Sequence, residues 1–181
     1  MRHQRRHQTG FTLLEILMAV SILAVTLSIA IPSFATMMRT NRLAGQVNEF
    51  VTAMNYARSE AYKRGVAVRV CASNTANSDC ASSSTWTNGW LVVADINNNA
   101  TVTIADGDTL IQKFAAPQGG FTYAPTPSTG RFFGFRPLGT DVTTSGSASA
   151  ISIYKSGCTG IETRTITLAP TGRVSLTKVS C

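Results

Sequence analysis

The sequence predicts an α+β fold: one long N-terminal α-helix with an antiparallel β-sheet domain laid against its outer half. Three features carry that expectation. A membrane-length apolar run opens the chain, an amphipathic stripe of helical spacing follows it, and beyond Val66 the apolar period falls to two. At 181 residues, 44% hydrophobic and 14% charged, the chain suits one globular domain plus an apolar segment.

The first element is the apolar run. From Ile16 to Met38 there are 23 residues without a charge, about 34 Å of helix at ~1.5 Å per residue, enough to span a membrane. Arg2, Arg5 and Arg6 precede it, so the positive-inside rule keeps the N-terminus cytoplasmic and sends the rest outside. An ordinary signal anchor or a cleaved secretory peptide offers an alternative. A secretory signal, however, needs a small-x-small site after the apolar core. Here Ala30-Ile31-Pro32 runs on into Ser33-Phe34-Ala35 and a helical pattern, so the segment is expected to be retained.

Glu15 is the one charge inside this run. A carboxylate at the centre of a membrane helix costs about 2.5–3.5 kcal/mol on insertion scales, so it calls for a partner or a route to the interface.

The second element continues the first. Pro32 is expected to kink the helix without ending it, because apolar periodicity resumes beyond it at Leu43, Val47, Phe50, Met54, Ala57 and Ala61. Arg39, Arg42, Glu49, Arg58 and Lys63 fall off that stripe. Arg64-Gly65 supplies a basic last turn and a C-cap. A self-associating coiled coil would need a longer stripe with less alanine.

The third element is a run of strands. Val66, Val68 and Val70 alternate with Ala67, Arg69 and Cys71, as in a strand with one buried face. Further strands are expected at Trp90–Ala94, Thr101–Ile104, Leu110–Phe114, Phe121–Tyr123, Arg131–Phe135, Ile151–Tyr154, Arg164–Leu168 and Arg173–Leu176. Polar stretches at Ser73–Thr87 and Thr143–Ser149 cannot build a core and are expected as mobile surface. An internal echo, "FRPLGT" at Phe135–Thr140 and "LAPTGR" at Leu168–Arg173, places proline second and glycine fourth in two type I turns.

Composition excludes several chemistries. Both histidines, His3 and His7, precede the apolar run, so the remaining chain offers no Ser-His-Asp or Cys-His catalysis and no histidine metal site. The charge of +7 falls to +4 without the three leading arginines, a mild excess compatible with nucleic acid or anionic lipid but diagnostic of neither. The four cysteines allow three pairings. Their clustering favours the local loops Cys71–Cys80 and Cys158–Cys181, structural disulfides of an oxidising compartment, and no C-x-x-C is present.

A short basic leader ending in Gly10, then Phe11-Thr12-Leu13-Leu14-Glu15 and about twenty apolar residues with Pro32 among them, resembles the class III leader of type IV pilins and type II secretion pseudopilins. The resemblance implies that a membrane aspartic peptidase cuts between Gly10 and Phe11 and methylates the Phe11 amine. It gives Glu15 a docking role beside the cationic N-terminus of a neighbouring subunit, where much of the burial cost is offset. Snorkelling of the carboxylate to the cytoplasmic interface is the simpler alternative. The organisation becomes a cleaved leader over 1–10, a transmembrane helix over 11–32, its amphipathic continuation over 33–65, and an antiparallel β domain over 66–181.

Beyond the leader, "YARSEAYKRG" at Tyr56–Gly65, "GWLVVAD" at Gly89–Asp95 and "LAPTGRV" at Leu168–Val174 resemble the GspH/FimT/FimU group of minor pilins and pseudopilins, with its type IV pilin-like fold. The resemblance implies a non-enzymatic, cofactor-free subunit that primes assembly near the tip of a pilus or pseudopilus and links tip to shaft. It implies an inner-membrane, single-pass location with the C-terminal domain periplasmic before assembly. Its partners would be other pilins and the prepilin peptidase. Members of the FimT type act in DNA uptake through a Gly-Arg-x-Arg signature. Gly172-Arg173-Val174-Ser175 keeps the first arginine and lacks the second. Arg173, Lys178 and Arg164, with Arg131 and Arg136 upstream, are therefore candidate contacts to double-stranded DNA, each phosphate contact adding salt-dependent affinity. A charged strand edge kept from aggregating explains the same residues without a ligand.

Two further sets remain. Asp95, Asn97, Asn99 and Asp106 occupy positions 1, 3, 5 and 12 of a calcium-type loop, but Ala100 stands where glycine is needed and two of the four are uncharged, so a polar hairpin is the simpler expectation. Trp90, Phe133 and Phe135 are expected in the core by strand-face alternation; Trp86, in the polar loop, could lie in the core or take part in ligand stacking.

Overall fold

The computed structural model describes residues 11–97, 99, 102–128, 130–142, 147–155, 157–158 and 163–180. The chain divides into two compact units, Met1–Asn41 and Arg42–Cys181. A single helix, α1, covers Leu13–Arg64 and runs through Pro32.

In the first unit every described side chain is exposed, the large apolar ones included. Its hydroxyls are satisfied within the helix: Ser21 donates to the Leu17 carbonyl at 2.8 Å, Ser28 to Val25 at 2.7 Å and Thr36 to Pro32 at 3.2 Å. Such back-bonding is how an apolar medium tolerates Ser and Thr. Among the described residues α1 is the helix long and apolar enough to cross a membrane.

In the second unit, the predicted stripe of Leu43, Val47, Phe50, Met54, Ala57 and Ala61 is buried, joined by Ala53. Gly65, at φ 68°, ends the helix in the left-handed cap, its N–H bonded to the Ala61 carbonyl at 3.0 Å.

Eight strands among the described residues form two antiparallel sheets. They are β1 (Ala67–Ala72), β2 (Trp90–Asp95), β3 (Thr109–Phe114), β4 (Phe121–Thr126), β5 (Phe132–Phe135), β6 (Ala150–Lys155), β7 (Thr163–Leu168) and β8 (Val174–Val179). The orders are β3-β2-β1-β5 and β4-β6-β7-β8. The inner faces of both sheets share one core with the stripe of α1. Phe50 is its hub, with ring centroids 5.1 Å from Trp90, 5.6 Å from Trp86 and 5.7 Å from Phe133, all near edge-to-face. Pairs of this kind contribute about 0.5–1.5 kcal/mol each beyond area burial. Trp86 thus belongs to the core, with its indole N–H on the Gly130 carbonyl at 3.1 Å.

Three expectations need correction. First, β1 is buried on both faces, not one. Arg69 and Cys71 join Leu91, Val93 and Phe132 under a second layer to which Cys80, Val102 and Leu110 contribute. Second, the stretch expected as a strand at Thr101–Ile104 is not one. Thr101 lies outside the described residues, Val102 and Thr103 are irregular, and Ile104–Asp106 is a 3-10 turn. Side-chain acceptors take the N–H groups a ladder would need: Asp108 receives Thr103 and Ile96 at 3.1 Å each, and Asp79 receives Ile104 at 2.9 Å. Third, the polar stretch Ser73–Thr87 is not merely surface. It is closed by the Cys71–Cys80 disulfide, tied by Asp79 and anchored by buried Trp86.

Candidate functional site

At the N-terminal end, Gly10 lies outside the described residues, while Phe11 and Glu15 lie within them and are exposed. Thr12 Oγ1 accepts the Glu15 backbone N–H at 3.2 Å. Thr12-x-x-Glu15 is therefore a capping-box spacing, a second local role for the same carboxylate position. The Glu15 carboxylate falls in the first turn of α1, where the partial positive charge of the helix N-terminus favours an anion.

The three candidate DNA contacts are not brought together. Arg164 and Lys178 stand directly opposite each other in the β7–β8 register, whereas Arg173 lies beyond the Leu168–Val174 pair at the hairpin end. Arg173 and Lys178 are five residues apart along the chain, about 17 Å at ~3.4 Å per residue. What Arg173 approaches instead is a corner made by the two echo turns.

Those turns have the expected closure. Gly139 donates to the Arg136 carbonyl at 2.7 Å and Gly172 to that of Ala169 at 2.8 Å, both glycines in the left-handed region at φ 74° and 75°. They pack on one another, for a Cβ on Gly172 would overlap the Gly139 carbonyl, and a Cβ on Gly139 would sit 2.9 Å from Arg58 Nε. Arg58 Nη2 in turn donates to the Thr171 carbonyl at 3.4 Å, and the Asp141 N–H to that of Pro170 at 3.1 Å. The corner thus joins one turn from each sheet to the helix and carries Arg58, Arg136 and Arg173 on adjoining segments. Arg58 was legible only as a residue off the apolar stripe; its place at the corner is a long-range contact with no local signature. Arg131 lies elsewhere, its Nη1 on the Ser82 carbonyl at 3.4 Å.

The calcium-type set is engaged otherwise. Asp95 is fully buried, its Oδ2 2.8 Å from Arg69 Nη2, and the Arg69 guanidinium lies 4.6 Å over the Phe132 ring. Asn97 Oδ1 accepts the Asn99 N–H and its amide donates to the Asp106 carbonyl, each at 3.1 Å. Among the described residues no three His, Cys, Asp or Glu side chains are grouped to hold a metal ion.

Cys71 and Cys80 are disulfide-bonded. Cys181, and with it the expected Cys158–Cys181 bond, lies outside the described residues. Burial lowers the proton affinity of the Arg69 guanidinium, opposed by Asp95 and Asp108. Hydrogen bonds from Arg64 and Lys63 hold the Glu60 carboxyl below its usual range, while burial raises those of Asp108 and Asp141.

Two family models match the chain. The type II transport protein GspH model covers residues 46–172, more than half of the sequence, and the prokaryotic N-terminal methylation motif covers residues 5–31. Among solved structures, the type IV minor pilin FimU of Pseudomonas aeruginosa PAO1, crystallised in space group P21, is 20% identical with a TM-score of 0.57. That match covers 78% of this chain and 96% of the other. The P65 crystal form of the same protein gives 18% identity and a TM-score of 0.49 over 80% and 98%. No curated protein gave a match. Leader motif, long helix and paired antiparallel sheets agree with these matches: the chain belongs to the GspH/FimT/FimU group of type IV minor pilins and type II secretion pseudopilins.

Proposed function

We propose that this chain is a non-enzymatic minor subunit that primes assembly of a type IV pilus or type II secretion pseudopilus and links its tip to its shaft. The leader over 1–10 is removed between Gly10 and Phe11, the Phe11 amine is methylated, residues 11–32 hold the subunit in the inner membrane, and the domain over 66–181 stands in the periplasm until assembly. Glu15 docks against the N-terminal amine of a neighbour, and Pro32 bends the helix, whose amphipathic continuation over 33–65 packs on the domain. Disulfides at Cys71–Cys80 and Cys158–Cys181 staple that domain.

The observation that supports this best is the contrast within α1. Its first part exposes large apolar side chains throughout with Glu15 as the one charge before Arg39, whereas from Leu43 the same helix has a completed core. An apolar surface of that length needs lipid or other helices around it. In cells carrying Glu15→Ala, the processed subunit is expected in the membrane fraction but lost from sheared filaments. Normal incorporation would remove the docking role. Mass spectrometry of the purified chain checks the mature N-terminus and its methyl group.

Binding of double-stranded DNA is the second reading, and the corner carrying Arg58, Arg136 and Arg173 favours it. Three cations on adjoining segments would engage neighbouring phosphates, and each contact adds about one unit to the salt slope. A mobility-shift titration of the detergent-solubilised chain is expected to show weaker binding and a shallower salt slope for Arg173→Ala and for Arg136→Ala. Absence of binding at low salt leaves the assembly role alone.

A further inference from the structure

Four strand edges bound the two sheets, and three of them are blunted. β3 is paired across a register shift at Val92/Val93, β4 carries Pro125, and four-residue β5 is bridged at Phe132 to Ser147 and at Phe135 to Asp141. Bulges, prolines and short, covered strands are the devices by which proteins stop sheets from growing. Among the described residues β8 has no bulge, proline or covering contact, and the one guard it carries is the charge of Lys178. The strand is six residues long, reads Val-Ser-Leu-Thr-Lys-Val, and among the described residues has a single neighbour, β7.

The direction of its free backbone groups follows from the hairpin. Ala169 donates to the Arg173 carbonyl at 2.9 Å, which makes that pair hydrogen-bonded. Antiparallel ladders alternate. In the observed register Ser175, Thr177 and Val179 therefore bond to β7, and Val174, Leu176 and Lys178 turn their N–H and C=O groups outward. Leu176 and Val179 are also 48% and 41% exposed, so apolar side chains accompany the open groups.

Charge selects the occupant. No acidic residue occurs between Thr163 and Ser180, while Arg164, Arg173 and Lys178 all do, with Arg164 opposite Lys178. A second copy pairing through β8 would bring like charges together. A strand bearing carboxylates between apolar residues would meet cations at both ends of β8 and pair its backbone with the open groups.

We infer that the free edge of β8 docks an extended, acidic-and-apolar segment of another protein by β-strand addition. The inference rests on the assembly reading only for which protein supplies that strand. Binding to the edge can be measured without filaments, so its failure and the failure of the assembly role are separable.

The test uses the full chain in detergent micelles and a capped eight-residue probe of alternating valine and glutamate, with a control of the same length carrying a central proline. On adding the probe, hydrogen exchange is expected to slow at the amides of Val174, Leu176 and Lys178, while those of Ser175, Thr177 and Val179 are already protected by β7. Leu176→Pro deletes an outward N–H without touching the β7 ladder and is expected to weaken the probe at least tenfold. Leu176→Ala, which keeps the N–H, separates that loss from the lost side chain and is expected to bind severalfold better than the proline variant. Lys178→Glu is expected to lose the glutamate probe and gain one with lysine in its place. Equal binding by Leu176→Pro, or protection of the three outward amides by duplex DNA but not by the probe, overturns the inference. So does self-association through β8 that the probe does not compete.

Discussion

The two sheets share one helix and one core, yet they are finished differently on their outer faces. The β3-β2-β1-β5 sheet is covered there by a loop closed at Cys71–Cys80, beneath which Arg69 and Asp95 are paired out of water. On the β4-β6-β7-β8 sheet the outer positions Ser152 and Thr165 are half-buried hydroxyls bonded to each other at 2.9 Å, and β8 is exposed at every position from Ser175 to Val179. β1, β2 and β5 are buried on both faces, whereas among the described residues β8 is exposed on both.

The sharpest way to break this comparison is at the buried pair. Asp95→Ala removes the carboxylate paired with Arg69, whose charge is fully buried beside Phe132, and is expected to cost about 3–5 kcal/mol in denaturant unfolding. Thr177→Ala, on the outer face of β8, is expected to stay within about 0.5 kcal/mol. Similar losses at the two positions would mean that the second sheet also depends on its outer face.

The asymmetry was only partly legible in the sequence. The stripe from Leu43 to Ala61 and the cap at Gly65 could be read directly, because helical period and left-handed glycine are local signals. β1 misled, since Val-x-Val-x-Val with Arg69 between looks like a strand with one wet face. What balances the buried Arg69 is Asp95, 26 positions away, and pairing at that distance leaves no period to read. Thr101–Ile104 misled for a related reason: β-branched residues imply a strand, but Asp79 and Asp108 claimed the backbone donors first. The candidate site shows the same pattern. The echo turns were visible as sequence, whereas their contact through Gly139 and Gly172, which gathers Arg136 and Arg173 near Arg58, is tertiary.

That contact gives the second prediction, because the corner joins the two sheets. Gly172→Ala places a Cβ into the Gly139 carbonyl and a non-glycine residue at φ 75°. Strain of ~1–3 kcal/mol and overpacking of similar size combine to a loss on the order of 2–4 kcal/mol. If thermal unfolding then shows two transitions where the parent shows one, the sheets are coupled mainly through this corner.

Third in size is the staple of the closed sheet. A disulfide spanning nine positions of sequence restricts the unfolded chain by about 2–3 kcal/mol. Cys71→Ser with Cys80→Ser is expected to lower the denaturation midpoint by that amount and to speed hydrogen exchange at β1 and β2 before β6 and β7. Uniform acceleration through both sheets would argue that the staple serves the whole domain.

The smallest effect is a pH dependence at the corner itself. Asp141 is buried, its Oδ1 without a hydrogen-bond partner among the described residues, and burial raises its carboxyl affinity for protons against the opposing pull of the Val142 N–H and nearby Arg136. A carboxyl whose folded pKa lies above its unfolded value destabilises the protein when ionised. That cost is absent below the unfolded pKa, grows as pH rises through the window between the two values, and is complete above the folded one. Asp141→Asn removes the charge at nearly unchanged volume, and the Val142 N–H keeps its bond to the Gly134 carbonyl at 3.0 Å. It is expected to raise the melting temperature at pH 7 relative to the parent, with the gain shrinking to nothing as pH falls below the ordinary carboxylate range. Asp108 is shifted in the same direction but remains in both proteins, so its contribution cancels in the difference. A gain that persists unchanged into acid would show that the asparagine acts through packing and that Asp141 is not the titrating group.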